Sequence, residues 1–231
     1  MLIQAFHLTK AVLTGESILH DAYFSVPEGS FTVFLSEDVS ATSALLKILA
    51  GELRPDAGTM RVDHQDIYDF SSHERRHWLM EVGTVFPDLK LFADKTVEEN
   101  ILFVLHVKGI LAEGQSDAIL KLLTKAGLGD KFKTRAEELT AAERQMVLDL
   151  RAMIFSPRLL IADDPFRGLD EVGVSVVFRF LKELNRSGTT VVLSTRQAAF
   201  LEESKKQGEG LALHWYQLDQ GKVHPLEEKV P

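Results

Sequence analysis

Residues 158–170 read RLLIADDPFRGLD. Leu159 to Ala162 form an apolar run with no alternation, followed at once by Asp163-Asp164-Pro165. That pattern predicts a short strand buried on both faces, as in a parallel sheet, with two carboxylates at its C-terminal end. Upstream, Thr140-Ala141-Ala142-Glu143 is a capping-box pattern opening a long helix that Pro157 terminates. Downstream, Val172 to about Asn185 predicts a helix, and Thr189 to Ser194 a further strand. Strands alternating with helices imply an α/β fold, with a mostly parallel sheet covered by helices on both faces. Ligand sites in such folds lie at the C-terminal ends of the strands.

The N-terminal part extends this frame. Leu2 to His7, Ala22 to Val26, Phe31 to Leu35 and Thr59 to Asp63 have strand composition, with a turn at Pro27-Glu28-Gly29-Ser30. From Phe34 to Gly51 the chain reads FLSEDVSATSALLKILAG: strand, polar loop, then a helix over Ser40 to Ala50 with Leu45, Leu46 and Leu49 on one face. Gly51 fits the position just past its end. Val82 to Phe86 is another strand, ending at Pro87-Asp88. Leu89 to about Glu138 reads as purely helical. Thr96-Val97-Glu98-Glu99 caps a helix to about Lys108, and a second runs from about Gln115 to Ala126 and stops at Gly127. Residues 88–136 therefore read as a helical subdomain inserted between 1–87 and 137–231 of a single domain. The chain closes on a hairpin, Leu211 to Leu218 and Lys222 to His224, turning at Asp219-Gln220-Gly221.

Composition narrows the classes of function. A net charge of -8 argues against a nucleic-acid binder, which normally shows a basic face. With no cysteine, disulfides, thiolate zinc sites and thiol catalysis are excluded. Met1 to Lys10 lacks a signal-peptide layout, and no stretch approaches the ~20 apolar residues of a membrane span. The expectation is a cytoplasmic protein that reaches a membrane only through a partner.

The segments 34–51 and 158–170, with Leu139 to Ala152 between them, resemble ABC-transporter nucleotide-binding subunits in order, spacing and helical insertion, over essentially the whole chain. Small size and the C-terminal Gly221-Lys222-Val223-His224 are most similar to the FtsE type of cell-division subunit. The resemblance implies the P-loop NTPase-like ABC fold, an N-terminal antiparallel β subdomain, a dimer, and docking on a membrane permease resembling FtsX. In the family the activity is ATP hydrolysis.

The family's site positions carry other residues here. The G-x-x-x-x-G-K-[ST] frame falls on Ser36 to Ser43: Ser36 and Ala41 stand at the glycines, Thr42 at the lysine, and only Ser43, at the magnesium position, has the expected type. Glu37 and Asp38 put two carboxylates where a phosphate would sit. A like charge at about 4 Å costs about 4 kcal/mol at an effective dielectric near 20. These acids either satisfy the positive end of the following helix in place of a phosphate, or face solvent and cap it. By the resemblance, the adenine-stacking aromatic is Val12, the Q-loop glutamine is Pro87, and the signature glycines are Ala141 and Ala142, after Thr140. Asp163 occupies the magnesium position, Asp164 that of the catalytic glutamate, and Arg196 that of the switch histidine. Arginine cannot act as a general base. It can pair with Asp163 or Asp164 as an internal counter-ion, the alternative being a solvent-facing side chain.

His73-Glu74-Arg75-Arg76-His77 reads as a solvated helix turn in preference to a metal site. Phe92, Val97, Ile101, Phe103 and Leu105 read as subdomain core, some of them shared with a groove for the permease. The sum of these readings is a pseudo-ATPase adaptor with no cofactor, homodimeric or heterodimeric with another ABC subunit. The rival is a divergent but active ATPase, in which Asp163 and Ser43 would hold Mg·ATP.

Overall fold

A computed structural model of the chain describes residues 1–12, 14–110, 112–196, 198–208 and 210–226. Ten strands and seven α-helices are described. β1 (Ile3–Ala11), β2 (Ser17–Val26), β4 (Ala57–Val62) and β5 (Gln65–Asp66) form an antiparallel sheet in the order β2-β1-β4-β5. The second sheet has the order β10-β9-β3-β8-β7-β6, from β3 (Phe31–Leu35), β6 (Val82–Val85), β7 (Leu159–Asp163), β8 (Thr190–Thr195), β9 (Leu213–Asp219) and β10 (Lys222–Leu226). Within it only the β9–β10 hairpin is antiparallel.

The unalternating run at Leu159 has the expected cause, since both faces of this sheet are covered. Leu160 and Ala162 point into one apolar core and Leu159 and Ile161 into the other, and Val191 and Leu193 are opposed to Val192 in the same way. One core lies against α1 (Val39–Ala50) and the antiparallel sheet. The other lies against α3 (Val97–Val107), α4 (Gln115–Lys125), α5 (Ala141–Met153) and α6 (Glu171–Arg186). Where α5 crosses β6, a Cβ on Gly83 would lie 2.5 Å from the Ala152 carbonyl oxygen, so only glycine permits the approach.

Local signals set the helix ends. Thr96 with Glu99 and Thr140 with Glu143 both form complete capping boxes. Gly51 ends α1 in the left-handed conformation, with φ of 80°. Three features differ from the sequence reading. His73 to His77 belong to a full ten-residue helix, α2 (Ser72–Glu81), which has its own capping box at Ser71 and Glu74. Residues 89–138 are not purely helical, since they include two 3-10 turns and a bridge between Thr96 and Arg135. An additional helix, α7 (Ala198–Gln207), follows β8.

Candidate functional site

Register brings the site together. Asp163 stands opposite Ser194 across β7 and β8, and Phe34 and Leu35 stand opposite Ser194 and Thr195 across β3 and β8. The loop after β3, the acids at the end of β7 and the residues after β8 therefore meet at one end of the sheet. Ser36, Thr42, Pro87, Asp163, Asp164 and Arg196 all line a single small cavity there, joined by Val39, Arg167, Ser194 and Thr195.

Of the segment Ser36 to Ser43, residues Val39 to Ser43 already belong to α1. The first turn of α1 begins at Val39, and Asp38 is its N-cap, its Oδ1 accepting the Ala41 N–H at 3.0 Å. The Asp38 N–H donates to Ser36 Oγ at 3.0 Å, and the Thr42 N–H to the Asp38 carbonyl at 3.2 Å. The Thr42 hydroxyl folds back onto the carbonyls of Asp38 and Val39, at 3.0 and 3.1 Å. A phosphate cradle requires backbone N–H groups turned inward and free. Here those of Asp38, Ala41 and Thr42 are committed to the chain's own oxygens. Of the two acids, Asp38 satisfies the helix end and Glu37 is exposed.

The carboxylates are held in a similarly closed way. Asp163 is buried, and it accepts hydrogen bonds from the Ser43 hydroxyl and, at 2.6 Å, from Ser194 Oγ. Asp164 sits at φ of 50°, a left-handed conformation that costs a non-glycine residue roughly 1–2 kcal/mol. Its N–H is fixed there by the carbonyl and hydroxyl oxygens of Ser194, both at 3.1 Å. Arg196 Nη2 lies 3.7 Å from Asp164 Oδ2, so the arginine is a partner of Asp164, whereas Asp163 is held by serines. Asp164 Oδ1 is buried without a hydrogen bond. Burial pushes the Asp164 carboxyl above the usual range; Arg196 opposes the shift and Asp163 adds to it. The cavity between these groups measures about 40 Å³. Pockets that hold small molecules typically measure about 300–1,000 Å³.

The ABC transporter family model matches residues 19–167, well over half of the chain, including the loop, the helical insertion and the two acids. The chain belongs to the ABC transporter family. Among curated relatives of this cassette, the cell division ATP-binding protein FtsE of Escherichia coli K12 is 30% identical over 194 residues, covering 84% of this chain and 87% of the relative. FtsE of Bacillus subtilis 168 is 28% identical over 206 residues, covering 89% and 90%. A solved ATP-binding cassette, described as a dimer in a post-hydrolysis state bound to ADP and Pi, superposes with a TM-score of 0.84 at 24% identity, over 98% of this chain and 99% of that one. The last likeness concerns the fold alone.

Other sequence-derived positions of the cassette lie apart from the small cavity. Val12 is half-buried in the turn between β1 and β2, its N–H donating to the Glu16 carbonyl at 2.8 Å. Thr140 and Glu143 bond one another's backbone N–H groups at 3.2 and 2.8 Å, and Ala141 and Ala142 form the turn between them. His73 and His77 are exposed on α2, and no group of three or more His, Cys, Asp or Glu is arranged for a metal ion among the described residues. Of the proposed groove residues, Val97, Ile101 and Leu105 are core, while Phe92 and Phe103 are 45% and 48% exposed and meet edge to face.

Two buried groups escaped the sequence reading. Ser194 is one; its role depends on strand register. Asp149, on α5, is the other. It is fully buried, accepts from Gln145 Nε2 at 3.0 Å through Oδ1, and leaves Oδ2 without a partner. Burial drives its carboxyl well above the usual range, against the Gln145 hydrogen bond and reinforced by Asp164. An aspartate inside an amphipathic helix looks like any solvated residue in sequence.

Proposed function

We propose that this FtsE-like cassette is a pseudo-ATPase: a cytoplasmic adaptor that docks on an FtsX-like membrane permease and keeps its nucleotide site closed with its own side chains. The observation that carries this reading is the closed loop. Three backbone N–H groups that would cradle phosphate are bonded internally, Ser43 and Asp163 are bonded to each other, and the cavity left measures only about 40 Å³. Mg·ATP does not fit these residues as they stand. Opening the site would break the Asp38 cap and the serine–Asp163 contacts, and would still leave no lysine at Thr42. Arg196 supplies a positive charge beside Asp164 where the family would place a histidine.

Docking rests on an apolar surface along α2 and α3. Leu79, Phe92, Phe103 and Val107 are all exposed, and no helix among the described residues is long and apolar enough to cross a membrane. A protein of net charge -8 that shows such a band needs an apolar partner for it. Pairing of two cassettes, or of this one with an active ABC subunit, would be held by residues other than nucleotide.

Titration of the purified protein with Mg·ATP, with phosphate release followed in parallel, tests the proposal. The expected result is no saturable binding at micromolar nucleotide and no release above the buffer rate. Saturable micromolar binding with turnover would establish the rival, a divergent active ATPase using Ser43, Asp163 and Asp164.

A further inference from the structure

A second cavity, of about 560 Å³, lies between the loop following Pro87, the flank of α5 and the turn at Arg167-Gly168. It is large enough for a small organic ligand. Its charge is unlike that of the rest of the molecule. The chain carries a net -8, yet this cavity is lined by Lys90, Arg144 and Arg167 against the single carboxylate of Glu137. Among the described residues no ion pair engages any of the three cations, although Arg167 lies in the field of Asp164. Glu137 is itself shared with Arg135, at 3.8 Å. The remaining wall is apolar, with Leu89, Leu91 and Leu148. One buried polar side chain also reaches it: Gln145, 7% exposed, whose amide nitrogen is taken by Asp149 and whose amide oxygen takes no bond among the described residues.

Three cations less one carboxylate leave an excess charge of about +2, which matches a phosphate monoester carrying about -1.5 to -2 near neutral pH. Arginine forks bind phosphate oxygens in pairs, and an apolar wall beside them selects an ester over the free ion. We propose that this cavity binds a small organic phosphate ester, the phosphate held by Lys90, Arg144 and Arg167 and the apolar body set against Leu89, Leu91 and Leu148. The Gln145 amide oxygen accepts a hydroxyl proton of the ligand. The site shares only Arg167 with the small cavity at Asp163, so it stands whether or not that cavity admits nucleotide. A bound ester would tie the loop after β6 to α5 and to the turn that precedes α6.

Calorimetric titration of the full chain with phenyl phosphate and with inorganic phosphate tests this. The expected result is saturable binding of phenyl phosphate, at least tenfold tighter than inorganic phosphate and weakened by added salt. Arg144→Gln and Arg167→Gln should each weaken it at least tenfold, and Lys90→Gln should weaken it too, while Ser43→Ala leaves it unchanged. All three cations are exposed, so these variants should keep the wild-type melting temperature, and the comparison is then one of binding alone. Absence of saturation at millimolar phenyl phosphate, equal affinity for inorganic phosphate, or full affinity in a variant carrying all three glutamine substitutions would each overturn the assignment.

Discussion

Replacing Asp149 by asparagine should stabilise this protein, and by more as the pH rises. The carboxyl is fully buried in α5, one oxygen bonded to Gln145 Nε2 and the other to nothing. Its folded pKa lies well above the usual 3.8. The group is therefore protonated in the fold at pH values where the unfolded chain has already released the proton. The folded state binds more protons in that window, so stability falls as pH rises from about 4 through the folded pKa. Keeping the carboxyl neutral costs about 1.4 kcal/mol per pH unit above about 3.9 until the folded pKa is reached, which makes about 4 kcal/mol the ceiling at pH 7. The Asp149→Asn variant would keep the volume and the oxygen facing Gln145 without an ionisable proton. Allowing for relaxation, it should gain about 1–3 kcal/mol near pH 7, or roughly 2–10 °C in Tm for a chain of this size. Near pH 5 the gain should shrink to about 1 kcal/mol or less, because the cost of neutralisation there is about 1.5 kcal/mol at most. Urea or thermal melts of both proteins at the two pH values measure this directly. A variant less stable than wild type at both, or a gain that does not grow with pH, would refute the neutral buried carboxyl.

Further outcomes follow from single contacts. Asp38→Ala removes the cap of α1 and should cost about 1 kcal/mol, read as a Tm lower by roughly 2–4 °C, with Asp38→Asn largely retaining it. Arg196→Ala leaves Asp164 without its cation; because the arginine is 46% exposed, the loss should be only about 0.5–1 kcal/mol, and an unchanged Tm would count against the pair. In the same variant the Asp164 carboxyl rises further, so its stability should fall more steeply with increasing pH through the folded pKa than that of wild type. Phe103→Glu changes an exposed side chain and should keep the Tm while abolishing co-purification with a membrane subunit; retention of that subunit would remove the α3 surface from the docking proposal.

Much of the fold is local in origin and could be read directly. Thr96 with Glu99 and Thr140 with Glu143 set helix starts through side-chain bonds spanning three residues, and Gly51 ends α1 because only glycine enters the left-handed region cheaply. The capping box at Ser71 and Glu74 is equally local and marks the start of α2. That helix buries only Trp78, so it shows no apolar stripe by which its full length could be seen in sequence. α7 lacks a comparable start signal after the polar residues that follow β8, and its buried contact, Phe200 against Phe166 and Phe178, is long-range.

The order of strands and helices, the caps, and the residue types at each site position can be read from the chain alone: serine, alanine and threonine in the loop, two aspartates at the end of β7, an arginine after β8. Those are properties of neighbouring residues and of spacing. Which charges meet is set by contacts between distant segments. Parallel register set Ser194 against Asp163 and left Arg196 to Asp164. It also buried Asp149 and gathered Lys90, Arg144 and Arg167 around one cavity. Such pairings depend on distances between segments far apart in the chain, and the pattern within any one segment does not encode them.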